Sequence, residues 1–171
     1  MPNPNELVIT RVFDAPVEMV WKMWTDLEML KKWWGPKIFT CPVVKIDFRV
    51  GGKFLGCMRG SPAEGAPVQD FWSTGTYKEI IAPNPSTGLR TGKIVVTDSF
   101  ADENGNIVPS SHYGMEGMPL EMLVTLLFED ADGKTKMTLT HSGIANIDDK
   151  SRTGMNQGWS ESFDKLAANL Q

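Results

Sequence analysis

SRTGMNQGWSESFDKLAANLQ, residues 151–171, is the stretch whose reading decides the fold. Met155, Trp159, Phe163, Leu166 and Leu170 recur at steps of four, four, three and four, so they share one stripe of a helix. Asn156, Gln157, Ser160, Glu161, Asp164 and Lys165 form the opposite, solvated face. A stripe containing Trp and Phe needs cover, since each such ring buries roughly 150–250 Å². Only a broad apolar surface built from the preceding strands supplies that cover. Gly158 lies within the helix, where glycine costs about 1 kcal/mol relative to alanine. Room for the close approach of a strand or a bound molecule is the reading of that position.

Upstream of this helix the apolar period is two. Phe39–Phe48, Lys53–Arg59, Phe71–Ile81, Lys93–Phe100, Leu120–Glu129 and Lys136–Ser142 read as strands. They are separated by Gly51-Gly52, Pro83-Asn84-Pro85, Asp102-Glu103-Asn104-Gly105 and Asp132-Gly133. The last turn, set between two alternating segments, signals a hairpin. Two connections are long: the Pro/Gly/Ala-rich Gly60–Gln69, and Ala101–Pro119 with His112, Tyr113, Met115 and Met118. Loops of that length serve as entrance loops or as surface insertions.

At the other end, Glu6 to Phe13 fits a first strand, closed by Asp14-Ala15-Pro16. Pro16 is suited to a helix start, and Val17, Val20, Trp21 and Trp24 follow with helical spacing up to about Asp26. A second short helix spans Leu27 to Trp33 and stops at Trp33-Trp34-Gly35-Pro36. The order is strand, two helices, six strands, long helix. Strands in direct succession pair antiparallel, which predicts an α+β domain spanning residues 1–171. Its seven-stranded curved sheet wraps the C-terminal helix, and the two short helices close one end.

The bulk properties narrow the partners. Seventeen basic against 21 acidic residues give a formal charge of −4, which offers no basic field for nucleic acid or an anionic membrane. The N-terminal residues lack a basic and apolar leader, and no apolar run approaches a membrane span, so cytoplasmic localisation without membrane insertion is expected. Cys41 and Cys57 read as buried thiols. No dinucleotide or phosphate-loop motif occurs, and with only His112 and His141 present a zinc site is not expected. No metal and no cofactor is predicted.

Strand alternation turns a few polar residues inward. His141 shares the face of Met137 and Leu139, and Asp98 that of Ile94, Val96 and Phe100. Two roles suit them: an acid/base or ligand-orienting pair within a cavity, or a satisfied histidine and a rim aspartate at strand ends. Tyr77 and Arg59 follow on the same logic. Trp34, Phe54, Trp72, Met115, Trp159 and Phe163 are candidate walls, although plain core packing is the commoner role for each taken alone.

Taken with the first strand, "DAPVEMVWKMWTDLEMLKKWWGP", "VGGKF", "GTYKEI", "LTLTHSG" and "GWSESFDKLAANL" resemble the SRPBCC superfamily. The similar branch is the one named for an activator of Hsp-90 ATPase. The resemblance covers nearly the whole chain and implies the START-like helix-grip fold, with an apolar cavity between sheet and helix. The superfamily includes binders of lipids, sterols, polyketides and plant hormones, as well as some enzymes. The branch shares no catalytic motif to transfer, and its chaperone-activating role belongs to longer proteins with an extra N-terminal domain. Gly60–Gln69 and Ala101–Pro119 depart from the typical pattern.

The expected function is binding of a small hydrophobic or amphipathic molecule by Trp34, Phe54, Trp72, Tyr77, Val96, Asp98, Met115, His141, Trp159 and Phe163. The alternatives are a cyclase- or hydrolase-type enzyme using His141 with Asp98 or Tyr77, and a module for a chaperone or other protein. The chain is expected to act as a monomer or homodimer.

Overall fold

The structure, a computed structural model, describes residues 3–170. Its strands are β1 (Glu6–Phe13), β2 (Val44–Ile46), β3 (Lys53–Gly60), β4 (Gln69–Ile81), β5 (Thr91–Ala101), β6 (Met122–Ala131) and β7 (Lys134–Ser142). Helices α1 (Val17–Thr25) and α2 (Leu27–Lys31) follow β1, and α3 (Asp149–Ala168) closes the chain. All seven strands form one antiparallel sheet in the order β1-β7-β6-β5-β4-β3-β2, so the first strand lies beside the last. This is the seven-stranded α+β arrangement the strand order predicts, and the helix-grip fold the resemblance implies.

Boundaries differ where local chemistry intervenes. The strand expected over Phe39–Phe48 is only three residues long, preceded by an isolated bridge between Thr40 and Arg59. Pro42 stands between bridge and strand, where it has no N–H for the ladder. The second short helix ends at Lys31 rather than Trp33, and its N-terminus is capped by the Asp26 carboxylate accepting from Glu28 and Met29 N–H groups. α3 begins before Ser151: Asp148 caps it by accepting from Ser151 N–H at 2.7 Å. It ends at Ala168, and the expected terminal residue, Gln171, lies outside the described residues.

The sheet carries an irregularity at β4. The β4–β5 register shifts between Tyr77 and Glu79, and Thr76 N–H donates to Thr97 Oγ1 at 2.8 Å instead of to a backbone carbonyl. Gly75 permits the close approach, since a Cβ there would stand 1.8 Å from Thr97 O. On the concave side, Phe13, Trp24, Trp33 and Phe163 meet in one buried cluster with Leu126, Phe128, Met137 and Leu139. Met122, Ile144 and Ile147 form a smaller cluster under the start of α3, with Met155 and Met118 against it. The expected helix stripe is therefore divided: Phe163 and Leu166 enter the main core, while Met155 covers the second cluster.

Lys165, expected on the solvated face, is a latch. Its ammonium donates to the carbonyls of Gly35, Pro36 and Phe39 at 2.9, 3.1 and 2.8 Å, and burial lowers its pKa. The Glu161 carboxylate accepts from Lys37 N–H at 3.2 Å, so α3 holds the whole 35–39 turn. Gly158 faces this turn and not a strand; a Cβ there would meet Pro36 at an ordinary 3.6 Å.

Candidate functional site

Sheet rows and helix rings enclose a cavity of about 70 Å³. Its floor comes from two neighbouring transverse rows. Tyr77, Val96, Val124 and His141 align across β4, β5, β6 and β7, and Ile80, Ile94, Leu126 and Leu139 form the next row. Tyr77, Val96, Val124, Ile94 and Leu126 line the cavity, with Phe54 and Val44 at the β3–β2 side. Trp24, Leu30, Trp34 and Trp159 roof it, and Thr97 and Asp98 complete the wall. Side-chain size accounts for the gap: Val96 and Val124 stand in the cavity row, where the solid core has Leu, Met and Phe.

The candidate residues separate into three sets. Trp34, Phe54, Tyr77, Val96, Asp98 and Trp159 line the cavity. His141 is buried immediately behind it, between two lining residues. Trp72, Met115, Phe163 and Arg59 lie elsewhere. Trp72 is an odd number of positions from Tyr77 on a regular stretch of β4, which turns it to the other face. Met115 follows the loop that Tyr113 fastens: the Tyr113 hydroxyl accepts from Trp72 N–H at 3.0 Å and donates to Ala101 O. Phe163 is fully buried one turn beyond Trp159, packed edge-on to Phe13. Arg59 is an exposed residue that grips Asp70 through bonds of 2.7 and 3.0 Å. That grip holds the Asp70 carboxyl below its usual range. Trp24, Leu30, Val44, Ile94, Thr97, Val124 and Leu126 were missed by the sequence reading. Val124 and Leu126 were within reach, because Met122, Val124, Leu126 and Phe128 alternate inward on β6.

His141 and Asp98 do meet, with Nε2 and Oδ2 3.3 Å apart. The other ring nitrogen, Nδ1, accepts from Trp159 Nε1 at 3.0 Å. An indole N–H only donates, so Nδ1 carries a lone pair and the imidazole proton sits on Nε2, towards Asp98. At 3.3 Å the pair is close, but its orientation is too poor for a full hydrogen bond. The Trp159–His141 bond thus ties α3 to β7 at the cavity edge, with Asp98 of β5 beside it. The Tyr77 phenol is pushed up by burial, so it stays protonated as a wall group.

Other reactive groups stand apart. Cys41 and Cys57 are buried free thiols, and burial pushes Cys57 up to about 11. Among the described residues no three His, Cys, Asp or Glu side chains gather as a metal group, and no helix is long and apolar enough to cross a membrane.

A curved antiparallel sheet gripping a long helix over an apolar chamber defines the START-like helix-grip class. The chain belongs to the activator of Hsp90 ATPase homolog 1-like family, whose profile matches residues 14–171. Solved structures agree on the fold. A protein from Mycobacterium smegmatis superposes with a TM-score of 0.72 at 24% identity, over 98% of this chain and 91% of that one. One from Arthrobacter aurescens gives 0.71 at 25%, over 99% and 89%. The AHSA1 protein from Silicibacter pomeroyi gives 0.67 at 21%, over 96% of both. No curated protein matches the chain.

Proposed function

We infer that the protein binds a small hydrophobic molecule in the chamber between Trp159 and the β4–β6 floor. The supporting observation is an apolar cavity of about 70 Å³ bounded on one side by helix rings and on the other by valines. That volume is well under the ~300 Å³ of an ordinary drug-sized site. A sterol or an intact lipid is too large for it. A small ring, or the end of a longer chain, suits it better. His141 in this reading positions Trp159 and Asp98 and does not react: its two nitrogens face those residues, and it does not itself line the cavity.

Methyl NMR during titration with cyclopentane tests the reading. Shifts confined to Val96, Val124, Ile94 and Leu126 are expected. Unmoved methyls at all four positions would overturn it.

A further inference from the structure

We propose that the bound molecule is a small protonated amine on an apolar frame, its ammonium group held at the chamber rim by the Asp98 carboxylate. This rests on the chamber reading above and specifies its ligand. Asp98 is the only charged side chain among the lining residues. On β5 it follows Ile94 and Val96 at every second position, and all three line the chamber. Its carboxylate reaches over the floor: Oδ2 comes within 3.3 Å of Nε2 of His141, two strands away, and His141 stands beside Val124 in the transverse row. The same imidazole holds Trp159 of the roof through its other nitrogen. The carboxylate therefore lies between floor and roof, and with the side chain 22% exposed it is reachable at the rim rather than sealed by packing.

What this carboxylate lacks is a cationic partner. The lysine and arginine ion pairs among the described residues engage Asp164, Asp47, Asp70, Asp130 and Glu79 instead. Asp98 has only the imidazole, whose Nε2 proton is misaligned for a hydrogen bond. On an apolar wall a carboxylate is partly stripped of water, and a cation arriving beside it gains an attraction that bulk solvent does not fully screen. A carboxylate only accepts, so a ligand without N–H or O–H leaves it unmatched, and an anion is repelled. A protonated amine supplies donor and charge together. The cavity of about 70 Å³ sets the size of the frame, a small hydrocarbon lying over Val96 and Val124.

Pyrrolidinium and cyclopentane, rings of one size differing in NH₂⁺ against CH₂, separate the proposal from the chamber reading. Each is titrated into the wild-type protein and into Asp98→Asn, which keeps the side-chain shape and removes the charge, with the Val96 and Val124 methyl signals reporting the site. Pyrrolidinium is expected to bind the wild-type protein and to lose at least about ten-fold in affinity in Asp98→Asn, the low end for a hydrogen bond to a charged group. Cyclopentane should bind the two proteins alike, which also shows that the variant is folded. Pyrrolidinium that leaves the wild-type methyls unmoved, or that binds both proteins equally, overturns the amine proposal, while cyclopentane binding leaves the chamber reading standing. Binding of neither ring overturns both.

Discussion

The two halves of the α3 interface make the instructive contrast. Around Phe163 and Leu166 the helix meets a solid core: Phe163 lies 6.4 Å from the Phe13 ring, 6.3 Å from Trp33 and 6.2 Å from Trp24. One turn earlier, Trp159 faces an unfilled space above Val96 and Val124. Helix and sheet are the same; what changes is side-chain size on the floor. A sheet bent around a straight helix closes tightly only where large residues fill the interval. Leaving valines at one end creates a chamber without altering the fold.

This contrast is open to attack at several points, and the largest effect belongs to the solid end. Phe163→Ala should cost about 3–5 kcal/mol, read as a lowered urea midpoint. A loss under about 1 kcal/mol would mean that this end is not tightly packed. Lys165→Met strands three carbonyls of the 35–39 turn and should cost about 1–3 kcal/mol, again by denaturant unfolding. Enlarging side chains then sets the two ends against each other. Leu166→Phe overpacks and should destabilise by about 1–3 kcal/mol. Val124→Ile fills the chamber, so it should leave stability unchanged or raise it by up to about 1 kcal/mol while weakening cyclopentane binding. Equal destabilisation by both would erase the distinction.

The smallest effect is electrostatic and belongs to neither end. Asp70, Asp148 and Glu161 are each held below their usual range, by the Arg59 guanidinium, the Ser151 N–H and the Gln157 amide respectively. Their folded pKa values lie below the unfolded ones. Each therefore contributes stability present above the usual carboxylate range of about 4, and lost as pH falls through the folded value. The urea midpoint should be flat near neutrality and decline in acid, with Asp70→Asn making the decline shallower.

Much of the fold was legible because two periods, 3.6 and 2, were written plainly along the chain. The strand–helix–helix–strands–helix order left little topological freedom, and the family motifs agreed with it. The β2 boundary was not legible, because Phe39–Phe48 has strand-like composition but Pro42 removes a ladder donor in its middle. Within the site, inward polar residues such as Asp98 and Tyr77 followed from alternation. Trp72 was assigned to the same wall against that very parity. Lys165 illustrates a limit of helical wheels: a long side chain on the polar face still reaches a neighbouring turn and saturates its carbonyls. The Trp159–His141 bond joins residues from separate elements, and nothing in local pattern encodes it.

The central claim is a dry chamber beside Trp159, and xenon reports such spaces directly, since it occupies empty apolar cavities. A crystal pressurised with xenon should show the gas bounded by Trp159, Val96, Val124 and Tyr77. Crystals that take up xenon elsewhere, or not at all, with those side chains closed upon one another, would contradict the account.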